Sequence, residues 1–232
     1  MKPFSIIVPV YNEEELLKKN SRRLIDYAEQ LKTPYEIIII SNGSTDRSVE
    51  IGRNLAGVHP QLKFLTLPQK GVGRAFKHGL IEAQYDHIIF MDADLSADLS
   101  FIKEANALLG HNVLVLGTKI GGLQNRSLFR KIGSFVFYLS VLLLMGLKYT
   151  DYAPGAKAYR KEFLTRYLNY IDDHTSFVLN LTFIAAVKKE PIAELAIACD
   201  DRRQSRFNLW REAASKYHGL ITLKFNQLLG RL

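Results

Sequence analysis

The sequence predicts an α/β fold, one domain built on a mostly parallel sheet with helices on both faces. Two features predict it. Short β-rich apolar runs alternate with helix-like segments through the first half, and parallel strands joined by helical crossovers are covered on both faces. The chain also has 232 residues, 47% hydrophobic and 23% charged, with no Pro/Gly/Ser-rich linker. That suits one large domain with a real core, and excludes disorder, collagen and coiled coil.

Phe4–Val10 is an apolar β-rich run. From Glu13 to Leu31, Leu17, Leu24, Ala28 and Leu31 share a helical face. Glu36–Ile40 is a buried strand rich in isoleucine. Asn42-Gly43-Ser44-Thr45-Asp46 is a turn whose Ser, Thr and Asp suit the cap of a following helix. Leu62–Leu67 reads as a third strand, followed by a glycine-rich turn and a helix from about Val72 to Ala83. His87–Met91 is a fourth strand, Leu99–Leu109 a helix and Val113–Leu116 a fifth strand. The second half is less regular: a loop from Gly117 to Gln124, a long helix from Asn125 to Leu147, and a loop and short strand over Asp151–Arg160. A helix over Ser176–Lys188, a strand over Pro191–Ala198 and an amphipathic helix from Asn208 to Leu229 complete it.

In such sheets ligands bind beyond the carboxyl ends of the strands. The segments after Val10, Ile40, Leu67 and Met91 are therefore expected to line one site. Asp92-Ala93-Asp94 places two carboxylates where a buried strand ends, and hard cations such as Mg²⁺ or Mn²⁺ bind through one or two carboxylates plus substrate phosphates. After the first strand, Tyr11 offers a ring that can stack on a base and Glu13 a hydrogen-bond acceptor. Gly71-Val72-Gly73 before a helix suggests phosphate contact. It is no P-loop, lacking Gly-Lys-Ser/Thr, and Phe76 replaces the last glycine of a dinucleotide fingerprint.

The net charge of +8 is unevenly spread. Residues 1–118 hold 13 Lys/Arg against 14 Asp/Glu; residues 119–232 hold 18 against 9. A basic second half points to an anionic partner. Nucleic acid is not expected, because its readers carry exposed stacking aromatics and here the aromatics lie largely in apolar runs. The single Cys199 excludes an internal disulfide and a multi-thiolate zinc site, so a reducing compartment is expected; the six histidines lack ligand spacing. Phe4–Val10 runs straight into Tyr11-Asn12-Glu13, which is not a cleavage site, so no leader is expected. Phe135–Leu147, at 13 residues, is short of the ~18 needed to span a bilayer and reads as a buried or interfacial helix.

Val8-Pro9-Val10-Tyr11-Asn12-Glu13, the Asn42–Asp46 turn and Met91-Asp92-Ala93-Asp94-Leu95-Ser96, in this order and spacing, resemble family 2 glycosyltransferases of the GT-A fold. The resemblance is closest to polyprenyl- or dolichyl-phosphate mannose and glucose synthases, and continues through Asp151–Arg160 and Asp201–Phe207. It implies a Rossmann-like sheet in which residues 1–118 form a nucleotide-sugar-binding half and residues 119–232 an acceptor-binding, membrane-associated half of the same domain. It implies that Pro9, Tyr11, Glu13, Asn42, Gly71, Ala75 and Ser96 bind the donor, a UDP- or GDP-linked sugar. Asp92 and Asp94 would hold Mg²⁺ or Mn²⁺ with the diphosphate. Lys119, Arg130 and Ser134 would bind the acceptor phosphate, and Arg202 and Arg206 would act beside the diphosphate. The chain departs from the pattern in having Ser41-Asn42 where the family has two aspartates, Asn180 where it has an acidic residue, and a shorter basic loop.

The implied chemistry is an inverting, metal-dependent transfer of one sugar to a polyprenyl phosphate by an enzyme on the cytoplasmic face of the membrane. A phosphate acceptor is already ionised and needs cations, which Arg supplies bidentately. A sugar hydroxyl would need a general base, for which Asp172 and Asp173 are the candidates; their other role is to cap the helix after Ser176. A nucleotide-sugar-binding subunit without activity is the remaining alternative. Peripheral attachment through cations flanking the Phe135–Leu147 helix, and a separate membrane subunit, are both open.

Overall fold

The computed structural model describes residues 1–119, 128–149, 152, 155–199 and 209–229. Seven strands form one sheet: β1 (Phe4–Val10), β2 (Tyr35–Asn42), β3 (Leu62–Leu67), β4 (His87–Phe90), β5 (Leu114–Lys119), β6 (Lys157–Arg160) and β7 (Ile192–Ile197). The helices are α1 (Leu17–Gln30), α2 (Ser48–Val58), α3 (Val72–Glu82), α4 (Ser100–Leu108), α5 (Leu128–Met145), α6 (Lys161–Arg166), α7 (Phe177–Val187) and α8 (Leu209–Leu228). A 3₁₀ turn follows α6 at Leu168–Tyr170.

The strand order is β3-β2-β1-β4-β6-β5-β7. All pairings are parallel except those of β6, which runs antiparallel between β4 and β5. The chain builds outward from β1 through β2 to β3, then returns to place β4 on the other side of β1. That reversal opens a crevice at the carboxyl ends of β1 and β4, where such sheets bind ligands. Strands from both halves of the chain share the sheet.

Side-chain alternation divides the core. Phe4, Ile6, Val8 and Val10 of β1 join Ile37 and Ile39 of β2 in packing against Leu24 of α1, Leu55 of α2 and Phe101 of α4. On the opposite face Ile7, Ile38, Ile40, Phe90 and Tyr159 meet Phe76 of α3 and Phe177 of α7. Helix α7 is buried from Phe177 to Ala185, as its mostly apolar sequence requires, with Asn180 and Thr182 buried among the apolar residues. Its outer side carries a third cluster with Val141 and Met145 of α5 and Leu220 and Leu223 of α8.

Most elements match expectation; α6 and the 3₁₀ turn after it have no expected counterpart, and three further differences concern bounds and caps. Helix α1 starts at Leu17 rather than Glu13, because residues 13–16 turn first, Leu16 N–H and Leu17 N–H both donating to the Glu13 carbonyl. Strand β5 continues to Lys119, through residues read as loop, because β7 pairs with it as far as Lys119 opposite Ile197. The expected cap of α2 is divided: the Asp46 carboxylate accepts the Ser48 N–H, whereas Ser44 and Thr45 bond to Asn12.

Candidate active site

Strand β4 delivers the two carboxylates. Phe90 is held edge-on against Phe76 and Phe177, with ring centroids 5.4 and 5.8 Å away, and Met91 N–H still bonds the Ile7 carbonyl of β1. The chain then leaves the sheet. Leu95 N–H returns to the Asp92 carbonyl at 3.1 Å, and Ser96 N–H to Asp94 Oδ1 at 3.0 Å. Leu95 has φ +49°, a region that costs a leucine about 1–2 kcal/mol. Its side chain is buried in the core, so the strain is met by burial and the turn keeps Asp94 half-exposed. Asn20 of α1 ties the turn from behind, donating to the Ala93 carbonyl at 2.9 Å. Gly155, at φ +135°, lies against Asp92: a Cβ there would stand 3.5 Å from Asp92 Oδ2.

Two half-exposed carboxylates at the end of a buried strand suit a hard divalent cation. No set of three His, Cys, Asp or Glu side chains among the described residues is arranged to hold a metal. A cation bound by Asp92 and Asp94 would therefore complete its shell with oxygens from a diphosphate or water.

Beside this turn, the loops after β1 and β2 are laced together. Asn12, at φ +54°, donates its N–H to Ser44 Oγ and accepts the Thr45 N–H on Oδ1 at 2.8 Å. Glu13 N–H donates to Ser48 Oγ, and Glu14 N–H to Asp46 Oδ2. Burial works against the Asp46 charge, but bonds from the Ser48 hydroxyl, the Ser48 N–H and the Glu14 N–H hold its pKa below the usual carboxylate range. Pro9 sits in an interior strand, where a missing N–H is normally excluded. Here Ile7 directs its carbonyl toward β4, so by alternation Pro9 faces the same edge, beyond the point at which β4 has ended.

Asn42 is 1% exposed and reaches in two directions. Its Nδ2 donates to the Val10 carbonyl at 2.9 Å and its Oδ1 accepts the Gly71 N–H at 3.1 Å. The turn before α3 is thereby fixed, and Lys70 lies 3.8 Å from the centroid of the Tyr11 ring, at cation–π distance. Gly43, at φ +77°, lets this turn approach: a Cβ would meet Lys70 N at 3.0 Å.

The glycines expected to face phosphate instead face backbone. Gly73 N–H donates to the His174 carbonyl at 2.8 Å, and Arg74 N–H to the Asp173 carbonyl at 3.3 Å. A Cβ on Gly73 would lie 1.9 Å from the Asp172 carbonyl oxygen, and one on Gly71 2.6 Å from that of Asp173. Ala75 is fully buried in the core, behind the turn.

The profile of glycosyl transferase family 2 matches residues 5–168, which contain all of these segments except the Asp172–His174 loop. The chain belongs to glycosyl transferase family 2. It is 30% identical over 171 residues to an undecaprenyl-phosphate 4-deoxy-4-formamido-L-arabinose transferase of Pectobacterium carotovorum, covering 73% of this chain and 52% of that protein. The transferase of the same name from Aeromonas hydrophila is 33% identical over 169 residues, 71% of this chain and 51% of its own. The chain spans about half the length of these relatives. Among solved structures, glucosyl-3-phosphoglycerate synthase from Mycobacterium tuberculosis, in complex with Mn²⁺, UDP and phosphoglyceric acid, superposes with a TM-score of 0.64 at 19% identity, covering 99% of this chain and 78% of that one. S. aureus TarS in complex with UDP-GlcNAc gives 0.63 at 20% identity, over 97% and 67%. The fold is GT-A.

In this family 2 domain the structure brings Pro9, Tyr11, Glu13, Asn42, Gly71, Asp92, Asp94 and Ser96 to one edge of the sheet. Lys119 is the last residue of β5, and Arg130 and Ser134 lie in α5. Arg202 and Arg206 lie outside the described residues. The two candidate bases are engaged elsewhere. Asp172 Oδ1 accepts the Phe177 N–H at 3.2 Å, capping α7, and burial pushes its pKa up. Asp173 pairs with Arg74, which holds its pKa down. Asn180, where the family has an acid, donates to the Tyr170 carbonyl at 2.9 Å.

Three site features were not anticipated. Leu95 takes its left-handed turn without a glycine to mark it. Arg74 joins Gln69 to Asp173, two loops far apart in the chain. Lys157, on β6, is a buried lysine beside the Asp92 turn; a lysine inside a run of Gly, Ala and Tyr was its only sequence signal.

Proposed function

We propose that this family 2 glycosyltransferase moves one sugar, with inversion, from a nucleotide-diphosphate donor to a polyprenyl phosphate at the cytoplasmic surface of a membrane. The observation that carries the reading is the Asp92–Asp94 pair, half-exposed where β4 leaves the sheet at its switch point. Asp92 and Asp94 would hold Mg²⁺ or Mn²⁺ for the donor's diphosphate end, while Tyr11, Glu13 and Ser96 line the donor's approach. The bound cation would neutralise charge on the departing diphosphate. UDP-linked sugars come first as donors, because solved structures of this fold carry UDP or UDP-GlcNAc. GDP-linked sugars are the second choice.

The acceptor follows from charge and from where the acids are. Asp172 caps α7 and Asp173 pairs with Arg74, so each has a structural role of its own, which favours an acceptor that needs no base. A phosphate requires none. It needs cations, which the basic half supplies at Lys119 and Arg130, with Arg202 and Arg206 beside the diphosphate, and the relatives are named as undecaprenyl-phosphate transferases. Asn42 and Asn180 carry internal hydrogen bonds, so they give no support to a binding subunit without activity. Incubation with Mn²⁺, labelled UDP- and GDP-sugars and undecaprenyl phosphate tests the reading. A lipid-linked sugar is expected, and Asp94→Ala lowers kcat/KM at least about a hundredfold with the fold intact. Wild-type protein that yields no lipid-linked product with any common donor defeats the acceptor assignment.

A further inference from the structure

The chain entering β6 touches two strand exits in succession. Gly155 lies against the Asp92 carboxylate, beyond β4. Ala156 accepts the Gly117 N–H on its carbonyl at 3.0 Å, and Lys157 Nζ donates to the Gly117 carbonyl at 3.0 Å. Gly117 belongs to β5, two residues before Lys119. Lys157 pairs in register with Phe90 of β4 and Leu116 of β5, so the bracket lies between them.

Lys157 is the unexpected member of this bracket. It is 1% exposed. Strand alternation puts it on the face of Tyr159, whose ring packs 5.5 Å from that of Phe76. Removing an ammonium from water is costly, and an apolar side chain of like volume is often tolerated as well or better. A charge retained inside, next to a cleft, is a recurrent mark of functional sites. The ammonium here grips a main-chain carbonyl at the end of β5, while Gly155, two residues before it, lies against Asp92.

We infer that Lys157 is a positioning residue for transfer: it fixes segment 117–119, where the acceptor half begins, at a set distance from Asp92, where the donor diphosphate is held. The inference rests on the proposed transfer to a lipid phosphate. The pairing of β5 with β7 and the Gly117–Ala156 bond survive loss of the ammonium, but the β5 exit loses the Lys157 side-chain tie to β6 and loosens, while the donor loops after β1 and β2 stay in place, so acceptor binding suffers and donor binding does not.

The test compares wild type with Lys157→Met, and with Lys157→Gln should the first variant fail to fold. Hydrogen exchange followed by mass spectrometry is expected to show segment 117–119 exchanging at least tenfold faster, with residues 35–42 unchanged. The Kd for UDP with Mn²⁺ stays within twofold. The KM for undecaprenyl phosphate rises at least tenfold, and kcat at saturation stays within threefold. Unchanged exchange over 117–119, or parallel losses of UDP and acceptor affinity, overturns the inference. If wild type transfers nothing to the lipid, the proposed function fails, and the exchange comparison still decides whether Lys157 holds the segment.

Discussion

The side-chain oxygen of Asn42 accepts the N–H of Gly71 at 3.1 Å, while its amide nitrogen donates to Val10 at 2.9 Å. One buried side chain thus joins the exit of β1 to the turn that carries Lys70 over Tyr11. The position needs a donor and an acceptor together, which an amide has and a carboxylate lacks. Where the family pattern has an aspartate, this chain has a cross-link in the floor of the site.

Asn42→Asp is therefore expected to destabilise the fold by about 2–3 kcal/mol at pH 7, since a buried charge would face the Val10 carbonyl oxygen. The introduced carboxyl has its folded pKa raised above the ordinary ~3.9. Protonation then favours the folded state, so the deficit shrinks as pH falls through that raised value and is smallest below about 4. Urea titrations of both proteins between pH 4 and 8 check this. A deficit independent of pH would contradict the buried-carboxylate account.

Gly73 and Gly57 form a contrasting pair. A Cβ at Gly73 would sit 1.9 Å from the Asp172 carbonyl oxygen, whereas one at Gly57 meets nothing within 4 Å. Gly73→Ala must push away the loop whose Asp172 caps α7, and is expected to cost about 1–3 kcal/mol. Gly57→Ala, inside α2, is expected to gain about 0.5–1 kcal/mol. Thermal melts of the two variants should move in opposite directions.

This contrast also marks what a sequence can reveal. Asp92 and Asp94 were legible because strand, turn and carboxylates are contiguous, and Tyr11 and Glu13 for the same reason. Most strands of the fold were legible from apolar runs bounded by turn residues. Gly73 was read as a phosphate contact because a glycine that fits a helix N-terminus to an anion looks the same as one that fits it to a neighbouring loop. The deciding atoms belong to Asp172 and His174, about a hundred residues on. Asn42, Arg74 and Lys157 were obscure for the same reason, each being defined by a partner brought in by folding. The antiparallel insertion of β6 left no local mark, because four residues flanked by β4 and β5 are buried whichever way they run.

His87, at the opposite end of β4, has no part in the proposed chemistry and makes stability depend on pH. Burial, with the nearby charges of Arg160 and Lys2, lowers its pKa from the ordinary value to about 4. Between about 6.5 and 4 the unfolded chain binds a proton that the folded chain refuses, so stability is full above pH 6.5 and falls as pH drops through this window. The lowered carboxylates Asp46, Asp98 and Asp173 lose their stabilising contribution only at lower pH, as they become protonated, and the raised Asp172 works against the His87 slope. Urea midpoints are expected to fall between pH 6.5 and 4.5, and His87→Leu to flatten that slope. A slope of the same size in the variant would remove His87 as its cause.

The outer surfaces of α5 and α8 are where membrane attachment is expected. Six of the nine large hydrophobic side chains exposed among the described residues lie on or directly after these two helices: Val136, Leu143, Leu144, Ile221, Phe225 and Leu229. The helices are neighbours, with Ser140 Oγ 3.0 Å from Tyr217 Oη and Phe137 set edge-on to Tyr217. No helix among the described residues is long and apolar enough to cross a bilayer, so attachment through this surface would be interfacial. Leu143 is 80% exposed and Phe225 59%, and burying each in lipid would supply about 1.5–3 kcal/mol. The double variant Leu143→Glu, Phe225→Glu is expected to lower partition onto phosphatidylglycerol-containing vesicles at least tenfold, while the Kd for UDP with Mn²⁺ stays unchanged because neither residue belongs to the donor loops. Sedimentation with vesicles at low and physiological salt measures it. Equal partition of wild type and double variant would mean that the surface does not meet the membrane.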